Sequence, residues 1–163
     1  MTRLIALDIG EVRIGVAVSD ATGLLASPYI TLHVFGDEAQ VWAAIQRLID
    51  ETEAEGLVVG LPMSLDGQIH AQGEKVQAFA ERLKQHITLP LTFWDERLST
   101  VEAKRLLAER DEGAEGKRYR HGGRRRPQTR RRRKHQEIDA LAAAVILQEY
   151  LDHLRSKMGD TKL

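Results

Sequence analysis

A chain of 163 residues, 42% hydrophobic and 29% charged, has the length and composition of one globular domain, able to bury about two thirds of its unfolded surface. It has no cysteine, which excludes disulfides, thiolate metal sites and a cysteine nucleophile, and its longest apolar run, Ala140 to Leu147, is too short to span a bilayer. The formal net charge is zero, yet Lys117 to Lys134 holds 11 Lys or Arg and no acid; removing those from the 24 basic residues leaves 13 against 24 acidic.

An acidic body with one intensely basic segment has two readings: a polyanion held at that segment, or a solvated loop that binds nothing specific. The N-terminal apolar stretch is broken by Asp8 and has no small-residue cleavage site, so a cytoplasmic protein is expected.

Arg3 to Leu7 is a short apolar run ending in Asp8-Ile9-Gly10, and Val12, Ile14, Val16 and Val18 then alternate. Period-two alternation of β-branched residues predicts two strands joined by a tight hairpin at the glycine. Gly15 inside the second strand marks a close approach of backbone or ligand. Gly23 to Phe35 reads as a third strand, irregular at Ser27-Pro28, completing an antiparallel meander. From Asp37 to Ala54, Val41, Ala44, Ile45, Leu48 and Ile49 form the stripe of an amphipathic helix, stopped by Gly56.

Leu57 to Gly60 is a fully apolar strand of the kind buried in a parallel sheet. A helix with Val76, Phe79, Ala80 and Leu83 on one face follows, then a strand from Leu91 to Glu96. Ser99-Thr100-Val101-Glu102 has the spacing of a capping box for a helix to about Arg110. Gly113 to Gln136 lacks periodicity and reads as a loop, kept disordered by its own charge. Glu137 to Leu154 is a last helix whose Ala142-Ala143-Ala144 suits close packing on a sheet, and 155–163 reads as a flexible tail. The order β-β-β-α-β-α-β-α-loop-α implies a single α/β domain over 1–154, a mixed five-stranded sheet with helices packed on it.

Three acids draw notice through their joint placement. Singly, Asp8 is a turn residue, Glu96 a surface acid beside Arg97, and Asp139 a first-turn acid favoured by the helix dipole. If the first and last strands are neighbours and the last helix crosses them, the three carboxylates converge. Their mutual repulsion would be relieved by divalent cations, and oxygen-only ligands select Mg²⁺ or Mn²⁺ over zinc. Two such ions about 3.5–4 Å apart can activate water and stabilise the leaving oxygen of an in-line phosphodiester attack.

The stretch Ala6-Leu7-Asp8-Ile9-Gly10-Glu11-Val12-Arg13-Ile14-Gly15-Val16 resembles the opening of the YqgF family, also called RuvX. Val59-Gly60-Leu61-Pro62 leading to Asp66-Gly67, then Trp94-Asp95-Glu96-Arg97-Leu98-Ser99-Thr100, and finally Ile138-Asp139-Ala140-Leu141-Ala142 to Gln148, follow in order and spacing. The resemblance covers about Thr2 to Leu151. It implies an RNase H-like fold related to Holliday junction resolvases, a nuclease role in maturing the 5′ end of 16S rRNA, and Asp8, Glu96 and Asp139 as the metal-binding acids. Glu11-Val12 and the long arginine-rich segment depart from the family pattern.

Arg13 and Arg97 flank two of the acids, as contacts to the scissile phosphate or as salt bridges orienting Asp8 or Glu96. Lys117, Arg118, Arg124, Arg125, Arg126, Arg130, Arg131, Arg132, Arg133 and Lys134 are candidate contacts to the nucleic-acid backbone. Whether Asp95 or Glu96 faces the metal is open. The six histidines show no ligand spacing, and Trp42 and Trp94 read as core or sheet-face residues.

The expected partner is structured RNA, a precursor rRNA, or branched DNA, with no membrane and with a monomer or homodimer both open. A structure-selective DNA resolvase, which needs a dimer to cut two strands, is the alternative enzyme. A non-catalytic RNA-binding factor of the transcription or ribosome machinery is opposed by the presence of all three acids. A sugar-kinase-like reading of the Asp-x-Gly hairpin lacks the second such domain.

Overall fold

The computed structural model describes residues 2–34, 36–64, 66–96 and 128–159. Strands β1 (Leu4–Ile9) and β2 (Arg13–Ser19) form the expected hairpin, paired antiparallel from Ile5 with Val18 to Ile9 with Ile14. Gly10 donates its N–H to the Arg13 carbonyl at 2.8 Å, and a β-carbon on Gly10 would stand 2.8 Å from that oxygen. Glycine is therefore required at this turn.

β3 (Ala26–His33) pairs antiparallel with β2. It begins later than the predicted Gly23 because Gly23, at φ +69, closes a turn on Asp20. The Asp20 carboxylate accepts from the Thr22 hydroxyl and the Leu24 and Leu25 N–H groups; these bonds, the Thr22 one foremost, hold its pKa below the usual value. The irregularity expected at Ser27-Pro28 is a register shift, in which Val16 pairs with Ile30 and Ala17 with Pro28. Pro28 is tolerated because β3 is an edge strand.

Helix α1 (Glu38–Thr52) starts where Asp37 accepts the Ala39 N–H at 3.0 Å. It ends at Glu53, in the left-handed region at φ 56, rather than at Gly56, which already opens β4 (Gly56–Leu61). β4 is buried throughout, as its unbroken apolar sequence demands. α2 (Ala71–Lys84) leads to β5 (Leu91–Asp95). The sheet order is β3-β2-β1-β4-β5, with β4 parallel to both β1 and β5. The expected five-stranded mixed sheet is present, but β1 and β5 are not neighbours; β4 separates them. The predicted helix at 99–110 lies outside the described residues.

The last helix, α3, runs from Gln128 to Gly159. The expected loop is therefore helical over 128–136, and the expected tail is helical over 155–159. Arg, Lys, Gln and Glu are good helix formers, and extending a nucleated helix adds a hydrogen bond for each residue fixed. Asp139 consequently lies eleven residues past Gln128, about three turns inside the helix. The helix dipole, which acts on the first turn, does not explain an acid there.

The two faces of the sheet are covered differently. Ile5, Leu7, Ile14, Val16, Leu57 and Val59 pack with α1 and α2 around Trp42, whose ring lies 5.0 Å from that of Phe79. Ala6, Ala17, Ala26 and Val58 meet Ala143, Ala144, Ile146 and Leu147 of α3. Small residues on both sides bring α3 close to β1, β2 and β3. Gln148 pins it there, accepting the Ala26 N–H at 2.9 Å and donating to the Leu24 carbonyl at 3.0 Å.

Candidate active site

Side-chain alternation settles which residues can meet. Because Ala6, Ala17 and Val58 face α3, their period-two partners Asp8, Arg13, Gly15 and Gly60 fall on the same face. The register then sets them at one level. Asp8 pairs with Gly15, the pairing of Leu7 with Val59 continues to place Asp8 beside Gly60, and Gly60 pairs with Trp94. A row Gly15–Asp8–Gly60–Trp94 crosses β2, β1, β4 and β5, and its one carboxylate stands between two glycines.

Each glycine admits another acid. A β-carbon on Gly15 would overlap the Asp139 carbonyl and stand 3.0 Å from the Ala140 nitrogen; the close approach expected at Gly15 is the backbone of α3 at Asp139. A β-carbon on Gly60 would stand 2.5 Å from Oε1 of Glu96 and 2.6 Å from Cδ1 of Ile146. Strands two apart are about 10 Å distant, so Glu96, just beyond the end of β5, approaches Asp8 only by laying its carboxylate across β4. Gly60 leaves that path open. The sequence places Gly60 at the end of the apolar strand that opens at Leu57, and a glycine inside such a buried strand is the signal that could have marked it.

β5 also separates Glu96 from Asp95. Leu91 and Phe93 pack with the α1 and α2 layer and Trp94 with α3, so alternation gives Asp95 the face away from Asp8. Arg13, read as a phosphate contact or as one of two arginines orienting Asp8 or Glu96, pairs instead with the third acid. Its Nε donates to Oδ2 of Asp139 at 2.6 Å, with the two side chains 33% and 27% exposed.

The acids at the row among the described residues, Asp8, Glu96 and Asp139, offer oxygen donors, and that chemistry fits a hard divalent ion. Among the described residues no three acids stand grouped as a ready metal cage, and an oxygen of Asp139 is engaged by Arg13.

Trp94 is half-buried on the same face, its ring 5.7 Å from Tyr150 and 5.2 Å from His153 of α3. Arg97, Lys117, Arg118, Arg124, Arg125 and Arg126 lie outside the described residues. Arg130, Arg131, Arg132, Arg133 and Lys134 are described only as backbone of α3.

Residues 2–153 match the family model described as RuvX: Holliday junction resolvase. A protein of Thermoanaerobacter pseudethanolicus named "Putative pre-16S rRNA nuclease" is 37% identical over 155 residues, 95% of this chain and 99% of that protein. One of the same name from Moorella thermoacetica is 40% identical, covering 93% and 96%. Among solved structures, T. thermophilus RuvC in complex with Holliday junction substrate aligns with a TM-score of 0.50 at 15% identity, covering 98% of this chain and 97% of that one. The Fowlpox virus resolvase in complex with substrate Holliday junction DNA aligns at 0.51 and 9% identity, covering 93% and 98%. At such identities the two structures establish the fold, which is RNase H-like.

Proposed function

The chain belongs to the family described as RuvX, Holliday junction resolvase, and from that premise we propose that it cleaves structured RNA at the acidic row, maturing the 5′ end of 16S rRNA. It is a nuclease, a hydrolase of phosphodiester bonds. The observation that carries the site is the glycine-flanked row: Gly15 and Gly60 let Asp139 and Glu96 approach Asp8 from opposite sides.

Asp8, Glu96 and Asp139 are the residues that would hold Mg²⁺ or Mn²⁺. Bound there, two such ions supply a Lewis acid for the phosphate and a water activated for in-line attack. The protein's own part is placement. Asp8 is fixed by its pairing opposite Gly15 in a strand that lies between β2 and β4, Asp139 by the close seating of α3, and Glu96 by the gap over Gly60. Arg97, next to Glu96, is assigned to the substrate phosphate, and the basic residues from Lys117 to Lys134 to the nucleic-acid backbone. Ribosomal RNA processing places the protein in the cytoplasm, and no helix among the described residues is long and apolar enough to cross a membrane.

Purified protein incubated with precursor 16S rRNA and with a four-way DNA junction, each with Mg²⁺, Mn²⁺ or chelator, tests this reading. Metal-dependent cutting of the RNA is expected. Cutting of the junction alone moves the function to a resolvase, the activity named in the family description; paired incision then requires a dimer, which sedimentation detects. Binding of RNA without cleavage under every condition makes the protein an RNA-binding factor.

Two further results follow from the site. Gly60→Ala meets only the ends of two side chains, so it should cost about 1 kcal/mol of stability. Single-turnover cleavage should fall much further, because the Glu96 carboxylate is pushed off its path. A variant as active as wild type would show that Glu96 does not work from that position.

Replacing Arg130, Arg131, Arg132 and Arg133 with Ser should weaken nucleic-acid binding at all sequences alike. Each phosphate contact contributes about 0.7–0.9 to the slope of log affinity against log salt, so the slope should flatten by up to about 3 units. The saturated cleavage rate should be largely spared. An unchanged slope would make these arginines a solvated surface, and a fall in the saturated rate would place them at the scissile phosphate.

A further inference from the structure

The ion pair between Arg13 and Asp139 joins residues 126 apart in sequence and is a direct result of the seating of α3. Arg13 stands two residues before Gly15 on the same face of β2, so the turn of helix that Gly15 admits delivers the Asp139 carboxylate to the guanidinium. The bond is short, at 2.6 Å, charge-assisted, and at most one third exposed at either end. A carboxylate oxygen so held has less of its charge and fewer lone pairs to offer a cation, and a guanidinium at that position repels one. This agrees with the absence of a ready three-acid cage among the described residues.

We propose that Arg13 is a resident counter-cation: it neutralises Asp139 in the metal-free protein and is exchanged for the divalent ion when the site loads. The proposal rests on the metal-dependent reading of the acids. It makes Arg13 a positioning residue, which keeps Asp139 ordered and its charge compensated until metal arrives. It also makes metal affinity a difference between two pairings of one carboxylate.

The test uses the full-length protein labelled with ¹⁵N. The Arg13 Nε–Hε resonance, identified by its loss in Arg13→Lys, is followed during Mg²⁺ titration while calorimetry measures binding. The resonance is expected to leave its hydrogen-bonded position with the same midpoint as Mg²⁺ binding. Arg13→Gln is expected to bind Mg²⁺ about tenfold tighter, the exchange cost of one charge-assisted bond having been removed, and to melt at a lower temperature without metal.

An unmoved resonance at saturating Mg²⁺ overturns the exchange and leaves the metal reading standing, as does equal or weaker binding by Arg13→Gln. Failure of both proteins to bind Mg²⁺ overturns the metal reading and the exchange together. The wild-type titration remains decisive if Arg13→Gln fails to fold.

Discussion

Gly15→Ala is expected to destabilise the protein by about 3 kcal/mol, lowering the melting temperature by about 6–12 °C for a chain of this size. The added β-carbon would overlap the Asp139 carbonyl, which belongs to the backbone of α3 and cannot turn aside as a side chain can. Relief requires the helix to lift from β2. That would part Ala17 and Ala26 from Ala143 and Ala144, and every pair of buried atoms drawn out of van der Waals range adds to the cost. The same lift carries Asp139 away from both Arg13 and Asp8, so cleavage should fall with stability. Thermal melts of Gly15→Ala beside Gly60→Ala give an internal comparison, since Gly60 faces only side-chain ends. Equal, small effects at both positions would mean that α3 is not seated on β2 as described.

Neutralising the acids should have the largest effect on activity. Glu96→Gln or Asp139→Asn would remove a ligand from the proposed site, where metal would supply several kcal/mol of transition-state stabilisation, so single-turnover cleavage should drop by about a thousandfold or more. The double variant should be hardly worse than either single one, because ligands of one site act as a unit. Multiplicative losses would show that the two acids work separately. Asp139→Asn should also cost about 1 kcal/mol without metal, through loss of its partly exposed ion pair with Arg13. That cost should be absent when Arg13 is already Gln.

What could be read from the sequence and what could not divide along physical lines. The meander, the buried β4 and the alternating helices were legible because side-chain period reports burial directly. The long reach of α3 was not, because the residues from Gln128 to Gln136 carry no apolar stripe; their helix is an extension of the packed turns around Ala143 and Ala144. The three acids were proposed as a set from the sequence, and the resemblance named the same trio; among the described residues they do not stand grouped as a metal cage.

Their geometry was not legible. Placing β1 beside β5 would have made Glu96 and Asp8 direct neighbours, whereas the sheet inserts β4 between them and uses Gly60 to restore the approach. Strand order depends on long-range pairing that local pattern does not encode. The partner of Arg13 was missed for a related reason: Asp139 was expected at the start of a helix, and it lies three turns inside one, over Gly15.

The most direct measurement is single-turnover cleavage of precursor 16S rRNA by wild type and by Asp8→Asn, with Mg²⁺ and with chelator, on proteins shown by circular dichroism to be equally folded. Asp8 is the one carboxylate of the row, between Gly15 and Gly60, and the acid on which the proposed site is centred. The account predicts metal-dependent cleavage by wild type and, for Asp8→Asn in Mg²⁺, a rate no higher than wild type gives in chelator. Cleavage by Asp8→Asn at the wild-type rate would contradict it.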